Sequence, residues 1–395
     1  MTVESGLDRV AAGDPEVLGH LRGKRVGLLA HPASVTRGLA HAHAVLERAG
    51  ARVVTLFGPE HGYGGEAQDM APVGDVDDAA EERVRVFSLY GTTFDALRPT
   101  PEMLRGLDAV VVDLQDVGAR YYTFVWSAAL MLEATAAVGI PCVVLDRPNP
   151  LGGVVLEGAP QRPGYRSFVG LYDVPVRHGM TIAEITGMVR ARLALPAESL
   201  VTVPMRGWQR AMYFDDTGLP WVYPSPNMPT LDTALVYPGG CLIEGTLLSE
   251  GRGTTRPFEV FGAPWVDGEA LAKTLEGQLP GLALRPLHFQ PTFQKHGGQR
   301  CGGVQVHVTD RARVRSYEAY LRILHALLTR YPDAPRYRTE EYEYVTDRPA
   351  IDLLTGGPEF RQATDAGESI DPWLASEAAG AAAFEAERAP YLLYR

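Results

Sequence analysis

Glu60 and His61 stand side by side in Phe57-Gly-Pro-Glu-His-Gly-Tyr-Gly-Gly-Glu66, directly after the apolar run Val53-Val54-Thr55-Leu56-Phe57. A carboxyl and an imidazole are the side chains that most readily move protons near neutral pH, and the surrounding glycines let backbone turn sharply beside a ligand. Adjacent residues on an extended backbone point apart, so one of the pair is read as the proton-transfer group. We take Glu60 as the acid and His61 as a group that shapes the turn or contacts substrate.

Three further clusters follow apolar runs. Asp113, Gln115 and Asp116 end one run, and in a period-two element Asp113 and Gln115 share a face. A buried acid needs a partner, for which Arg120 is the nearest candidate, and the alternative is a structural ion pair that pins the loop. Tyr122 is placed to stack on a sugar face or to pack a rim. In Asp146-Arg-Pro-Asn-Pro150, Asp146 and Asn149 either bind hydroxyl groups or belong to a rigid proline turn. The stretch from Glu244 to Arg256 gathers acids, hydroxyls, Arg252 and Arg256 among glycines. An arginine fork there suits a carboxylate or phosphate, or it ties an interdomain loop through Arg–Glu pairs.

The elements that must carry these residues alternate short β-branched runs with amphipathic stretches, the pattern of βα units feeding a parallel sheet. It predicts strands at 25–30, 52–57, 85–89, 109–114, 142–145 and 200–204, with helices at 40–49, 122–138 and 181–193. The last opens on a capping box from Thr181 to Glu184. The fold class expected is α/β: a Rossmann-like, mostly parallel sheet domain over 20–230, then a smaller α+β domain over 231–395, with the cleft at their junction. Four strand ends then deliver polar groups to one sheet edge, where such folds bind ligands. The Pro/Gly-rich stretch 208–253 reads as an interdomain crossing without long regular elements. Beyond it, helices are expected at 269–278, 316–329 and 375–387, and a strand at 303–308.

With 395 residues and a formal net charge of −11, the chain has no Lys/Arg block, which excludes nucleic acid and anionic membrane as main partners. The first thirty residues show no secretory signal or lipoprotein anchor, and no later run has transmembrane length. Cys142, Cys241 and Cys301 have neither disulfide nor metal-ligand spacing, so a reducing, cytoplasmic setting is expected. No Gly-x-Gly-x-x-Gly, P-loop, Gly-x-Ser-x-Gly or His-Glu-x-x-His pattern occurs, and the reading includes no metal and no cofactor.

In order along the chain stand Phe57-Gly-Pro-Glu-His-Gly, Ser88-Leu-Tyr-Gly91, Asp113-Leu-Gln-Asp-Val-Gly-Ala-Arg-Tyr-Tyr-Thr123, Leu145-Asp-Arg-Pro-Asn-Pro150, Ser167-Phe-Val-Gly170, Arg177-His-Gly-Met-Thr181, Pro224-Ser-Pro-Asn-Met-Pro229 and Glu244-Gly-Thr…Ser249-Glu-Gly-Arg-Gly-Thr254. From about Gly23 to Tyr394 the chain resembles the exo-β-N-acetylmuramidase family typified by NamZ, bacterial peptidoglycan hexosaminidases. It departs from the family pattern at His31-Pro-Ala-Ser34 and at Gly65-Glu-Ala-Gln-Asp69. The resemblance implies hydrolytic release of a non-reducing-end N-acetylmuramic acid from a small sugar or muropeptide, with Glu60 as the family acid and Asn227 among the substrate contacts. Glycoside hydrolysis needs a second group besides the acid, and Asp113 or Asp116 is the expected second carboxylate unless the substrate acetamido group attacks. Arg252, Arg256 or Arg120 is expected to clamp the lactyl carboxylate that marks muramic acid. A hydrolase for another sugar, or a glycan-binding protein on the same scaffold, are the alternatives.

Overall fold

The computed structural model describes residues 2–65 and 84–395, so Glu66–Asp69 of the second departure lie outside the described residues. Six strands form a parallel sheet: β1 (Arg25–Ala30), β2 (Arg52–Gly58), β3 (Arg85–Ser88), β4 (Ala109–Asp113), β5 (Cys142–Leu145) and β6 (Leu200–Val203). Their order, β3-β2-β1-β4-β5-β6, is that of a doubly wound sheet whose order reverses between β1 and β4. Ala30 pairs with Asp113 across that reversal, which sets the end of β4 at the ligand-binding edge.

Helices α1 (Gly6–Ala11), α2 (Pro15–Leu18), α3 (Ala42–Arg48), α4 (Phe124–Ala137) and α5 (Ile182–Arg192) belong to this part. Period-two alternation splits β1 between two cores: Val26, Leu28 and Ala30 pack with α1 and α3, while Leu29 faces the α4 and α5 side. α4 is almost wholly apolar up to Leu132, and its residues from Phe124 to Leu132 are all buried. The capping box of Thr181 and Glu184 is present at the start of α5.

The remainder holds α6 (Leu231–Gly240), α7 (Gly268–Thr274), α8 (Ser316–Arg330), α9 (Ala350–Thr355), α10 (Glu359–Ala366) and α11 (Asp371–Arg388), with an antiparallel sheet of order β7-β9-β8. Its strands are β7 (Val260–Ala263), β8 (Leu282–Phe289) and β9 (Cys301–Val308). α6 corrects the expectation of an irregular crossing, because Tyr237-Pro-Gly-Gly240 is its last turn. Close packing overrides propensity there: a Cβ on Gly239 would lie 2.0 Å from the Ser316 carbonyl oxygen of α8. β7 and β8 were not expected, and β8 contains Pro286, which an edge strand tolerates.

One apolar core runs through both parts, from Leu29 and Phe57 to Phe360 and Phe384. The chain end returns to the first sheet. Arg388 donates to the carbonyls of Gly153 and Gly179 at 2.9 and 2.7 Å, and the Tyr394 hydroxyl donates to Asp146 at 2.5 Å.

Candidate active site

β2 ends at Gly58, where a Cβ would lie 2.3 Å from the Tyr63 nitrogen, so the chain folds back on itself there only because this residue is glycine. The Gly62 amide donates to the Pro59 carbonyl at 2.9 Å, closing a turn with Glu60 and His61 at its centre. His61 has φ of 71°, a left-handed value usually taken by Gly or Asn. That twist removes the extended geometry assumed from sequence, and Glu60 and His61 both line the same cleft.

The cleft encloses about 460 Å³ of space, part of it open to solvent. The first part of the chain supplies Glu60, His61, Tyr122 and Thr123, then Ser225 and Asn227; the second supplies Glu244, Arg252, Tyr342 and Glu343. Glu60 is 8% exposed, and burial raises its carboxyl from 4.5 to about 7. The Thr123 hydroxyl, 2.6 Å away, opposes the rise; Glu244 adds to it and Arg252 subtracts. Thr123 is the residue before α4, yet its side chain makes no cap bond to the helix and turns to Glu60 instead.

Arg252 is gripped by acids. Its Nη2 lies 2.6 Å from Glu244, its Nε 3.3 Å from Glu250, and its guanidinium covers the Phe258 ring at 5.2 Å. Glu244 accepts the Tyr342 hydroxyl at 2.7 Å on its other oxygen. Burial alone would raise Glu250, but Lys295 at 2.8 Å and Arg252 outweigh it and hold that carboxyl below its usual value. An arginine fixed in this way keeps its charge and its orientation.

The strand-end acids sit elsewhere. Asp113 is fully buried and receives both the Nε and Nη2 of Arg147, at 2.6 and 2.8 Å, so its partner is Arg147 rather than Arg120. Arg120 instead donates to the carbonyls of Ala159, Val174 and Leu354. Gln115 donates to the carbonyls of Asp116 and Pro148. Asp116 accepts the Gly118 amide at 2.8 Å and faces His178 at 3.6 Å, while burial raises the acid to about 7 and lowers the imidazole to about 3. Asp146 accepts from Thr181, Ala183 and Tyr394, and Asn149 bonds Met180 and Leu151. His31 joins this group, bridging the Gln115 amide at 3.0 Å and the Pro224 carbonyl at 3.2 Å; burial holds it neutral.

Most of these contacts are made within the group or to neighbouring backbone, while Asp116 Oδ1, Arg120 Nε and His178 Nε2 are buried without a hydrogen-bond partner, and the open cleft lies to one side. None of Asp113, Gln115, Asp116, Arg120, Asp146, Asn149 lines it. Arg256 is half-exposed, pairs with Glu259 at 3.4 Å and also lies off the cleft wall. Tyr122, Asn227, Glu244 and Arg252 are on the wall with Glu60 and His61.

Sequence reasoning passed over Thr123, Tyr342 and Glu343. Thr123 closes the quoted motif after Asp113, a signal that was present. Glu343 lies in the run Glu340-Glu-Tyr-Glu-Tyr344, which reads as a solvated face; in the structure it is 3% exposed and accepts the Tyr90 hydroxyl at 3.1 and 3.2 Å. Among the described residues no group of three or more His, Cys, Asp and Glu is arranged to hold a metal ion.

Residues 26–232 match Exo-beta-N-acetylmuramidase NamZ, N-terminal, and residues 235–394 match Exo-beta-N-acetylmuramidase NamZ, C-terminal. Over 394 residues, 99% of this chain and 91% of the relative, the sequence is 42% identical to the peptidoglycan beta-N-acetylmuramidase NamZ of Bacillus subtilis (strain 168). Crystal structures of two DUF1343 family proteins from Bacteroides fragilis NCTC 9343 share the fold, with TM-scores of 0.85 at 31% identity and 0.75 at 27%. Each comparison covers 100% of this chain and 99% of the other. Two adjoining family matches and identity along nearly the whole length establish that the chain belongs to the exo-β-N-acetylmuramidase NamZ family.

Proposed function

We propose that this protein is an exo-β-N-acetylmuramidase that hydrolyses the glycosidic bond of a non-reducing-end N-acetylmuramic acid in peptidoglycan-derived fragments. The observation that carries the chemistry is Glu60, a buried carboxyl in the cleft that keeps its proton up to about pH 7 and so can give it to a leaving oxygen. The Thr123 hydroxyl stabilises the carboxylate left behind. Arg252 presents a fixed guanidinium to the lactyl carboxylate, with Asn227 and Tyr122 as further contacts on the same wall. The proposal keeps the division near residue 230: Glu60 comes from one side of it, Glu244 and Arg252 from the other.

Among the described residues no helix is long and apolar enough to cross a membrane. Cys142, Cys241 and Cys301 are buried and form no disulfide, which supports a reducing compartment and thus action on imported fragments. The test is turnover of chromogenic β-N-acetylmuraminide and β-N-acetylglucosaminide by wild type and Glu60→Gln. Preference for the muraminide is expected, with Glu60→Gln slower by roughly 10²–10⁴-fold on substrates with poor leaving groups. Turnover of neither sugar by wild type would refute the proposal.

A further inference from the structure

The turn that carries Glu343 is built against the preferences of its residues. Tyr342 and Val345 exchange both backbone hydrogen bonds, each 3.0 Å, so Glu343 and Tyr344 are the two central residues of a hairpin turn. Their φ angles are 47° and 66°. Those signs belong to a type I′ turn, where Asn-Gly or Asp-Gly is the usual pair and a longer side chain is strained. Residues held this way persist where their surroundings over-determine them, and they gather at functional sites.

Here the surroundings are visible. The Tyr90 hydroxyl donates to the Glu343 carboxylate, the Tyr344 hydroxyl donates to the Gly91 carbonyl at 2.9 Å, and the Tyr344 ring meets those of Tyr90 and Phe168 edge-on at 5.9 and 6.4 Å. Tyr90 and Gly91 follow β3, so these contacts fasten a turn of the second part of the chain to the first sheet. Their result is a buried carboxylate in the same cavity as Glu60. Glu244, the other carboxylate of that cavity, has one oxygen on Arg252 and the other on Tyr342, which fits it to hold the arginine.

We propose that Glu343 is the proton acceptor that works opposite Glu60. As the bond from the anomeric carbon to the leaving oxygen breaks, Glu60 gives that oxygen its proton; a water oxygen bonds to the anomeric carbon, and the water proton passes to Glu343. The products are the free sugar and the shortened fragment, with Glu60 ionised and Glu343 protonated until exchange with solvent resets both. The Tyr90 hydroxyl donates to the Glu343 carboxyl and holds it in place for the step. This rests on the hydrolase reading of the cleft.

The experiment compares wild type, Glu343→Gln and Glu343→Ala on a muramyl substrate with a poor leaving group, with and without sodium azide, checking folding by circular dichroism. Both variants are expected to lose roughly 10²–10⁴-fold in kcat with a smaller change in KM. Azide attacks without surrendering a proton, so it should restore at least about tenfold of the rate of Glu343→Ala and yield a glycosyl azide. An inactive wild type would sink the hydrolase reading itself. An active wild type with Glu343→Ala within about tenfold of it, or a folded, inactive Glu343→Ala that azide does not rescue, would overturn the role of Glu343 alone.

Discussion

Thr123→Val separates the acid role of Glu60 from simple burial. The hydroxyl lies 2.6 Å from the Glu60 carboxylate, and its removal leaves the cavity shape nearly unchanged because Val and Thr are close in volume. A hydrogen bond to a charged acceptor contributes about 1.5–3 kcal/mol, and one to a neutral carboxyl about 0.5–1.5 kcal/mol. Losing both therefore disfavours the ionised form by about 1–1.5 kcal/mol relative to the protonated form, close to one pH unit at 1.36 kcal/mol per unit. Glu60 sits at about 7 in the wild type, so the alkaline limb of kcat/KM should fall near there and move up towards 8 in the variant. The assay is kcat/KM between pH 5 and 10 on a muramyl disaccharide, whose sugar leaving group needs the proton. An alkaline limb that stays in place, or moves down, refutes the claim that Glu60 is the titrating acid and that Thr123 tunes it.

Asp113→Asn should leave Arg147 buried without its counter-charge and cost about 3–5 kcal/mol in denaturant unfolding, while kcat at low temperature stays within about tenfold of wild type; a large loss of kcat at unchanged stability would instead restore Asp113 to the catalytic role first expected of it. Arg252→Lys keeps a cation between Glu244 and Glu250 but loses the planar fork, so KM for muramyl substrates should rise about tenfold and KM for glucosaminyl analogues much less; equal increases would remove Arg252 from lactyl recognition. Glu60→Gln should stabilise the fold at pH 8 and not at pH 4. With its carboxyl raised from 4.5 to about 7, the folded state holds a proton there that the unfolded chain releases, so stability falls as pH rises through that window and the cost is complete above it. A shift of 7 − 4.5 = 2.5 units at 1.36 kcal/mol per unit sets that gain on the order of 3 kcal/mol, measurable by urea unfolding at the two pH values.

The parallel sheet was legible because buried strands are short β-branched runs, and β1 and β5 match the expected limits residue for residue. Glu60 stood out because an acid among glycines and a proline follows a buried strand, a pattern an ordinary turn also fits, and the structure sets it on the cleft wall. The acids after β4 and β5 misled for a physical reason: the chemistry that makes a buried carboxylate useful also makes it demand a partner, and sequence does not say whether that partner is substrate or Arg147. Glu343 was hidden because its burial depends on Tyr90, 253 residues earlier in the chain. β8 was hidden by Pro286, and α6 by Pro238 and two glycines whose role is close approach to neighbouring elements.

The polar strand ends and the cleft then have distinct tasks. Asp113 with Arg147, Gln115, Asn149 and His31 form a closed hydrogen-bonded floor spanning the ends of β1, β4 and β5. Through His31 this floor also holds Pro224, one residue before Ser225 on the cleft wall. The proposed acid and acceptor stand above it on two tight turns, one from each part of the chain, and each turn contains non-glycine residues with positive φ: His61 in the first, Glu343 and Tyr344 in the second. Each such residue costs about 1–3 kcal/mol, a strain that a loosely held loop would relax by moving. A floor with its polar groups satisfied, and Tyr90 and Gly91 engaging the second turn, resist that relaxation. Placement within about half an ångström is what proton transfer to and from a sugar requires, so the strain and the floor are two halves of one positioning device.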